Sequence, residues 1–255
     1  ITGKRPDGFH DLETVFYPVN WCDALEVVPS TLSETSMEVY GADFGDVKTN
    51  LCYKACLLLR EEHHLPEVSI YLQKVIPHGA GLGGGSSDAA FVLMMLNEMF
   101  ELGLSQTKLA DYAGKLGSDC PFFIYNKPMM ATGRGELLTP VSIMLEKYHF
   151  LIVMPDVKVS TAEAYSMIKP KHPDLPLNAV LQLPVNQWKY ALVNDFEAAV
   201  FSKYPVVKDV KEKLYQAGAV YASMSGSGAA VFALFEKEVE AIQDFKHYTV
   251  WQGKG

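Results

Sequence analysis

The sequence predicts an α+β fold, with a domain boundary near residue 146. Three observations carry this. Strand-like and helix-like segments mix along the chain without regular βαβ alternation. The 255 residues are 49% hydrophobic and 20% charged, enough for a sizeable core and for one large or two ordinary domains. A charged stretch at 146–149 precedes a fresh strand-like run at 150–154, and this shift divides residues 1–146 from 147–255.

The elements follow in order. Residues 15–29 are rich in aromatic and β-branched side chains and read as one or two strands, with another at 37–40. Over 50–64, Leu51, Ala55, Leu58 and Leu59 recur at helical spacing. Residues 68–74 alternate, Val68, Ile70 and Leu72 against Ser69, Tyr71 and Gln73, as a strand does. A glycine-rich run then leads into an apolar helix over 89–100 and an amphipathic one over 106–116. Glycine and proline punctuate 133–140. Past the strand at 150–154, residues 162–168 read as helix and 170–184 as a proline-spaced surface loop. Residues 195–204 and 206–217 read as helices, and 220–235 as strand, tight turn at 225–228, and strand.

Lys and Arg number 22 against 30 Asp and Glu, a net charge of −8. An acidic chain without a long basic run does not favour nucleic acid, yet leaves room for a local phosphate site. Cys22, Cys52, Cys56 and Cys120 form no C-x-x-C pair, which argues against a zinc knuckle or a redox motif. Cys52 and Cys56 would share one helix face, and the cysteines read as small core hydrophobes in a reducing, cytoplasmic protein. No apolar run approaches the roughly 18 residues of a membrane span, so no membrane partner is expected, and no secretory leader is visible. The chain opens Ile1-Thr2-Gly3-Lys4 without methionine, like the tail of a strand, so residues upstream are expected.

The most informative segment runs from Pro77 and His78 through Gly79, Ala80, Gly81, Leu82, Gly83, Gly84, Gly85, Ser86 and Ser87. Five glycines among the nine residues 79–87, between a strand and a helix, are suited to an anion. Glycines allow positive φ and close backbone approach. The helix start adds unpaired N–H groups and the positive end of its dipole, and successive amides can form a phosphate nest. Ser86 and Ser87 can cap the helix, and one hydroxyl can meet phosphate or Mg²⁺. Asp88 just after them suits the helix dipole. No Gly-Lys-Ser/Thr closes the loop as in a Walker A motif, and no acidic residue completes a dinucleotide fingerprint. The plainer alternative is a structural glycine turn. Asp119 follows Gly117-Ser118 at the end of a helix pattern and precedes Cys120-Pro121, where the chain must leave helical geometry, so its carboxylate either faces a cleft or caps the next segment.

At the glycine loop the sequence closely resembles the GHMP kinase superfamily, whose loop reads Pro-x-x-x-Gly-Leu-Gly-Ser-Ser-Ala. Its longer form here resembles a branch acting on a cytidylated methylerythritol. Segments 1–10, 50–51, 116–123, 133–140, 194–197 and 224–229 agree in the same order, so the resemblance covers nearly the whole chain. It implies two lobes, an N-terminal one like the second domain of ribosomal protein S5 and a ferredoxin-like C-terminal one, with the active site between them. It implies ATP and Mg²⁺, and transfer of the γ-phosphate to a hydroxyl of the methylerythritol part, a step of non-mevalonate isoprenoid synthesis. Oligomeric state is expected to be monomer or weak homodimer.

By the same resemblance Asp119 is the catalytic base, and a lysine strand upstream of Ile1 would neutralise charge beside it. Phe9 and His10 match the positions that recognise cytidine, Phe9 replacing the commoner tyrosine. Tyr165 matches the second aromatic of a cytosine sandwich, with Thr161 nearby. Asn50 and Lys74 match positions near the adenine; on their own they read as a helix cap and a surface charge. Ser225, Gly226 and Ser227 match a third motif near substrate phosphates, or form an ordinary hairpin turn. Glu136 and Asp195 take structural roles. Other small-molecule kinases of the superfamily, and a nucleotide-binding module without catalysis, are the alternatives.

Overall fold

The computed structural model describes residues 1–42, 45–240 and 243–255. Its first half opens with β1 (Gly3–Lys4), β2 (His10–Phe16), β3 (Ala24–Pro29), β4 (Ser36–Tyr40), α1 (Leu51–His63) and β5 (Val68–Gln73). It continues with α2 (Gly84–Met99), α3 (Gln106–Leu116), α4 (Cys120–Tyr125), β6 (Met129–Gly133) and β7 (Leu137–Pro140). β5 is the middle strand of a three-stranded sheet ordered β3-β5-β4, with β4 parallel to it and β3 antiparallel. The register sets Leu25 and Val39 beside Leu72, and Val27 and Met37 beside Ile70. That apolar face packs with α1 and α2, through Leu59, Leu93 and Leu96, all fully buried. Asn50 caps α1, its side chain accepting from Cys52 N at 2.9 Å. Ser105 caps α3 the same way.

A second sheet, ordered β1-β2-β6-β7, carries the punctuated 133–140 stretch as the β6–β7 hairpin. The second half holds β8 (His149–Met154), α5 (Thr161–Ser166), α6 (Leu177–Val180), α7 (Val185–Ala191), α8 (Glu197–Lys203), α9 (Pro205–Gln216), β9 (Tyr221–Met224), β10 (Val231–Phe235) and β11 (Thr249–Lys254). Its sheet runs β11-β8-β10-β9, all antiparallel. Leu151, Val153, Val210, Leu214 and Ala233 form its core. A small cluster of Trp21, Ile76, Ala80, Ile152 and Ala230 joins the two halves directly behind the glycine loop.

Several expectations need correction. The helix after the loop starts at Gly84 rather than near 89, with its N-cap Gly83 packed against Phe123 of α4 and Gly84 against Ile76 and Lys74. α6 interrupts the expected surface loop at 170–184, burying Leu177 and Val180. The sequence also gives no sign of α4, α7, β6, β7 and β11 as elements. Cys22 is exposed, unlike Cys52, Cys56 and Cys120, and all four are free thiols. Among the described residues no helix is long and apolar enough to cross a membrane.

Candidate active site

Between β5 and α2 the backbone takes positive φ at alternate residues: Gly79 (72°), Gly81 (74°) and Gly83 (70°). Alternation of this kind lines successive N–H groups along one concave surface, an arrangement suited to phosphate oxygens. Two of the three have no room for a side chain. A Cβ at Gly81 would stand 2.3 Å from the Ser225 carbonyl oxygen, and one at Gly83 would stand 2.8 Å from the Phe123 ring. Gly83 is the N-cap of α2 and supplies no side-chain acceptor, so the helix start keeps N–H groups for an outside partner.

Ser86 and Ser87 are therefore not caps but first-turn residues. Ser87 N donates to Gly83 O at 2.9 Å, and the Ser86 hydroxyl is near enough to the Cys120 thiol to pull its pKa down against the rise that burial causes. Ala80 is buried, and its carbonyl accepts from Ala230 N at 3.0 Å. Pro77 is half-buried, His78 is exposed and Leu82 packs into the cluster behind the loop. Gly85 is half-buried in the first turn of α2, where a Cβ would meet nothing.

The turn after β9 closes over this loop. Ser225 Oγ donates to Gly81 O at 2.7 Å, and Gly226 (φ 54°) lies against Gly81. Asn194 fixes the turn, its Nδ2 donating to Met224 O at 2.7 Å and Gly226 O at 2.8 Å. Buried Glu197 accepts from Met224 N at 2.9 Å and pairs with Lys211 at 2.6 Å. Ser227 Oγ lies 3.1 Å from Thr161 Oγ1 at the start of α5. Residues from both halves thus meet at the loop.

Asp119 sits at the N-cap of α4, yet its side chain makes no capping bond, which removes the capping alternative. Ser118 Oγ donates to its Oδ1 at 3.2 Å. Asp119 is solvent-accessible by area, but protein surrounds it closely enough to lift its pKa above the ordinary 3.8, the Ser118 hydrogen bond pulling the other way. Both facts suit a carboxylate on the floor of a concave surface. The next residue, Cys120, meets Ser86 of the loop helix. On its other side, a Cβ at Gly135 would stand 3.9 Å from Asp119 Oδ1.

The Asp119 charge also reaches Tyr165, whose phenol is raised first by burial and then by that carboxylate. Tyr165 meets His10 at a ring-centroid separation of 5.2 Å, tilted 31°, and Phe196 edge-on at 4.8 Å. Phe9 is 55% exposed, so it is not a core residue. The Arg134 guanidinium lies 5.2 Å from its ring centroid, paired with Glu136 at 3.6 Å.

Lys74 is not the surface charge that its place at a strand end suggests: its ammonium is buried between Asp23 and Asp88, with Asp88 Oδ2 at 2.8 Å. Asp88 is buried in the second turn of α2 instead of complementing the helix dipole at the surface. Burial raises its pKa to about 6, and Lys74 opposes the rise. Burial depresses the Lys74 ammonium, but its hydrogen bonds to the Asp23 and Asp88 carboxylates outweigh that and raise its pKa above the ordinary lysine value. Cys52, in the first turn of α1, feels all three charges, so the helix that Asn50 caps abuts the base of the loop. Sequence reading missed Asp23, Arg134 and Asn194 as site residues. The Arg134 and Asn194 segments carried a signal through the resemblance, and Asp23 carried none.

Comparison with known proteins agrees with this geometry. The model of the GHMP kinase N-terminal domain matches residues 50–127, and that of the C-terminal domain matches residues 183–246. A 4-diphosphocytidyl-2-C-methyl-D-erythritol kinase of Bacteroides fragilis is 52% identical over 241 residues, covering 93% of this chain and 88% of its own. One from Parabacteroides distasonis is 44% identical, covering 100% and 94%. A crystal structure of 4-(cytidine 5'-diphospho)-2C-methyl-D-erythritol kinase superposes with a TM-score of 0.82 at 32% identity, covering 100% of this chain and 94% of that one. A homoserine kinase from Cytophaga hutchinsonii, at 18% identity and a TM-score of 0.68, shares the fold over 96% of this chain and 94% of its own. With a glycine loop of alternating positive φ feeding an uncapped helix start, and with these matches over its full length, the chain belongs to the GHMP kinase family, on the branch that holds these 4-diphosphocytidyl-2-C-methyl-D-erythritol kinases.

Proposed function

We propose that this kinase transfers the γ-phosphoryl group of ATP to a hydroxyl of 4-diphosphocytidyl-2-C-methyl-D-erythritol. One juxtaposition carries the reading: Cys120, next to Asp119, adjoins Ser86 of the loop helix, and the Asp119 charge reaches Tyr165, which pairs with His10 at 5.2 Å, so the three are read as facing one crevice. The loop and the α2 start bind the nucleotide phosphates through backbone N–H groups. Asn50, at the neighbouring helix start, lies toward the adenine. Asp119 accepts the proton of the attacking hydroxyl while the O–P bond to the acceptor forms and the bond to ADP breaks. A base with a raised pKa suits that proton transfer better than an ordinary carboxylate does, and such a group supplies about 10²–10⁴-fold in rate.

His10, Phe9, Tyr165 and Thr161 take the cytidine. The base stacks on an exposed aromatic face, and His10 meets its polar edge, a contact class worth about 1–3 kcal/mol per base. Ser225, Gly226 and Ser227 offer hydroxyls and N–H groups to substrate phosphates. The lobes are assigned as residues 1–146 and 147–255; one core draws on the first half and another almost wholly on the second, while a third cluster with Ile143, Leu145, Tyr148 and Phe150 spans the boundary.

Mg²⁺ is implied by the nucleotide. Among the described residues no group of three His, Cys, Asp or Glu side chains is placed to hold a metal, and Asp23 and Asp88 are engaged by Lys74. The ion is therefore assigned to phosphate oxygens and water, with Ser87 the nearest hydroxyl candidate, and no step is derived through it. A site drawn from one chain fits a monomer or weak homodimer, and four free thiols fit a cytoplasmic setting.

The test is coupled ADP release with the cytidylated acceptor, run beside mevalonate and homoserine. Turnover with the cytidylated acceptor alone is expected. Equal turnover with either of the others would overturn the substrate assignment.

A further inference from the structure

The two ends of the phosphate loop meet at one buried ionic cluster. Lys74 closes the strand side of the loop and Asp88 stands on the second turn of the helix that the loop feeds. Between them Asp23, from the segment entering β3, accepts from the Val75 and Ile76 N–H groups, the latter at 2.9 Å. It also pairs with Lys74, which in turn holds Asp88 at 2.8 Å. All three side chains are at most 7% exposed. A Cβ at Gly84 would stand 3.3 Å from Lys74 Nζ, so the ammonium lies directly under the first residue of α2. The titratable groups facing the cluster are the Cys52 thiol from α1 and the three members themselves.

We infer that Asp23, Lys74 and Asp88 are positioning residues, a clasp that sets the spacing between the two ends of the glycine loop and thereby the aim of its N–H groups at the nucleotide phosphates. The inference rests on reading the loop as the nucleotide site. Two carboxylates against one ammonium leave the cluster with one excess negative charge in the interior. Burial is the leading cause of the raised Asp88 pKa, so its ionised form is held at a cost in folding free energy. A cluster serving stability alone would be improved by losing that charge. A cluster serving alignment would not, because Asp88 is the link that ties α2 to β5.

The experiment measures ADP affinity by calorimetry, with melting temperature and far-UV circular dichroism, for the parent protein, Asp88→Asn and Asp23→Asn. Asp88→Asn removes the excess charge while keeping shape. Asp23→Asn keeps one oxygen for the backbone N–H groups and weakens the grip on Lys74. Asp88→Asn is expected to keep or raise the melting temperature while weakening ADP binding by about tenfold, and Asp23→Asn to weaken ADP binding similarly. KM for the acceptor is expected to stay within about twofold in both. Parent-like ADP affinity in either folded variant would overturn the clasp. If the parent itself failed to bind ADP, the loop assignment would fall with it.

Discussion

Asp119 is the one carboxylate in the crevice that neither caps a helix nor pairs with a cation among the described interactions. Its raised pKa has a consequence for pH dependence. As pH falls through a lifted pKa the base gains its proton and is lost to catalysis. The acid limb of kcat/KM is therefore expected at higher pH than an ordinary carboxylate would give, and to move lower when Ser118→Ala is compared only if the hydroxyl were raising the pKa. Ser118 lowers it, so removal of that hydrogen bond is expected to move the limb further up. A pH–rate profile of both proteins checks the direction. At the other end of the site, His10→Ala is expected to raise KM for the cytidylated acceptor by about tenfold or more, with KM for ATP unchanged. Steady-state kinetics with each substrate varied in turn would show it.

The loop and the turn after β9 fit each other as elements. Gly81→Ala would force a Cβ to 2.3 Å from the Ser225 carbonyl, in a backbone region that L side chains avoid. It is expected to weaken ATP binding by at least about tenfold, and to cost about 1–3 kcal/mol in stability, read by calorimetry and denaturant melts. Much of this level was legible in sequence. Strand β5 and helices α1, α3 and α9 announced themselves by period, and the glycine run announced an anion site. The start of α2 was not legible, because Gly84 and Gly85 are poor helix formers and their surroundings, Phe123 against Gly83 and Ile76 and Lys74 against Gly84, come from elsewhere in the chain. The burial of Lys74 was equally hidden. A lysine at a strand end reads as solvated, and its two carboxylate partners lie 51 and 14 residues away. The nearness of Asp119 to the loop came from the resemblance and not from spacing.

At the scale of the whole molecule, the two halves are joined by a larger cluster that includes Ile143, Leu145, Phe150 and Leu234, and by a smaller one behind the loop. Trp21, Ile76 and Ala80 come from the first half, Ile152 and Ala230 from the second, and Trp21 stacks on Trp251 at 6.1 Å. Ile152→Ala removes a side chain that is 2% exposed at this junction. It is expected to cost about 2–5 kcal/mol and to raise KM for ATP, since Ala80 of the loop rests on the same cluster. Thermal melts paired with kinetics separate it from a surface change, which would move neither. The central claim is that a backbone nest and the Asp119 carboxylate act on one phosphoryl group. It is tested most directly by single-turnover transfer of labelled γ-phosphate from ATP to the cytidylated acceptor, in the parent protein and in Asp119→Asn. Transfer slowed by about 10²–10⁴-fold with both substrates still bound is the predicted result; transfer at the parent rate would contradict it.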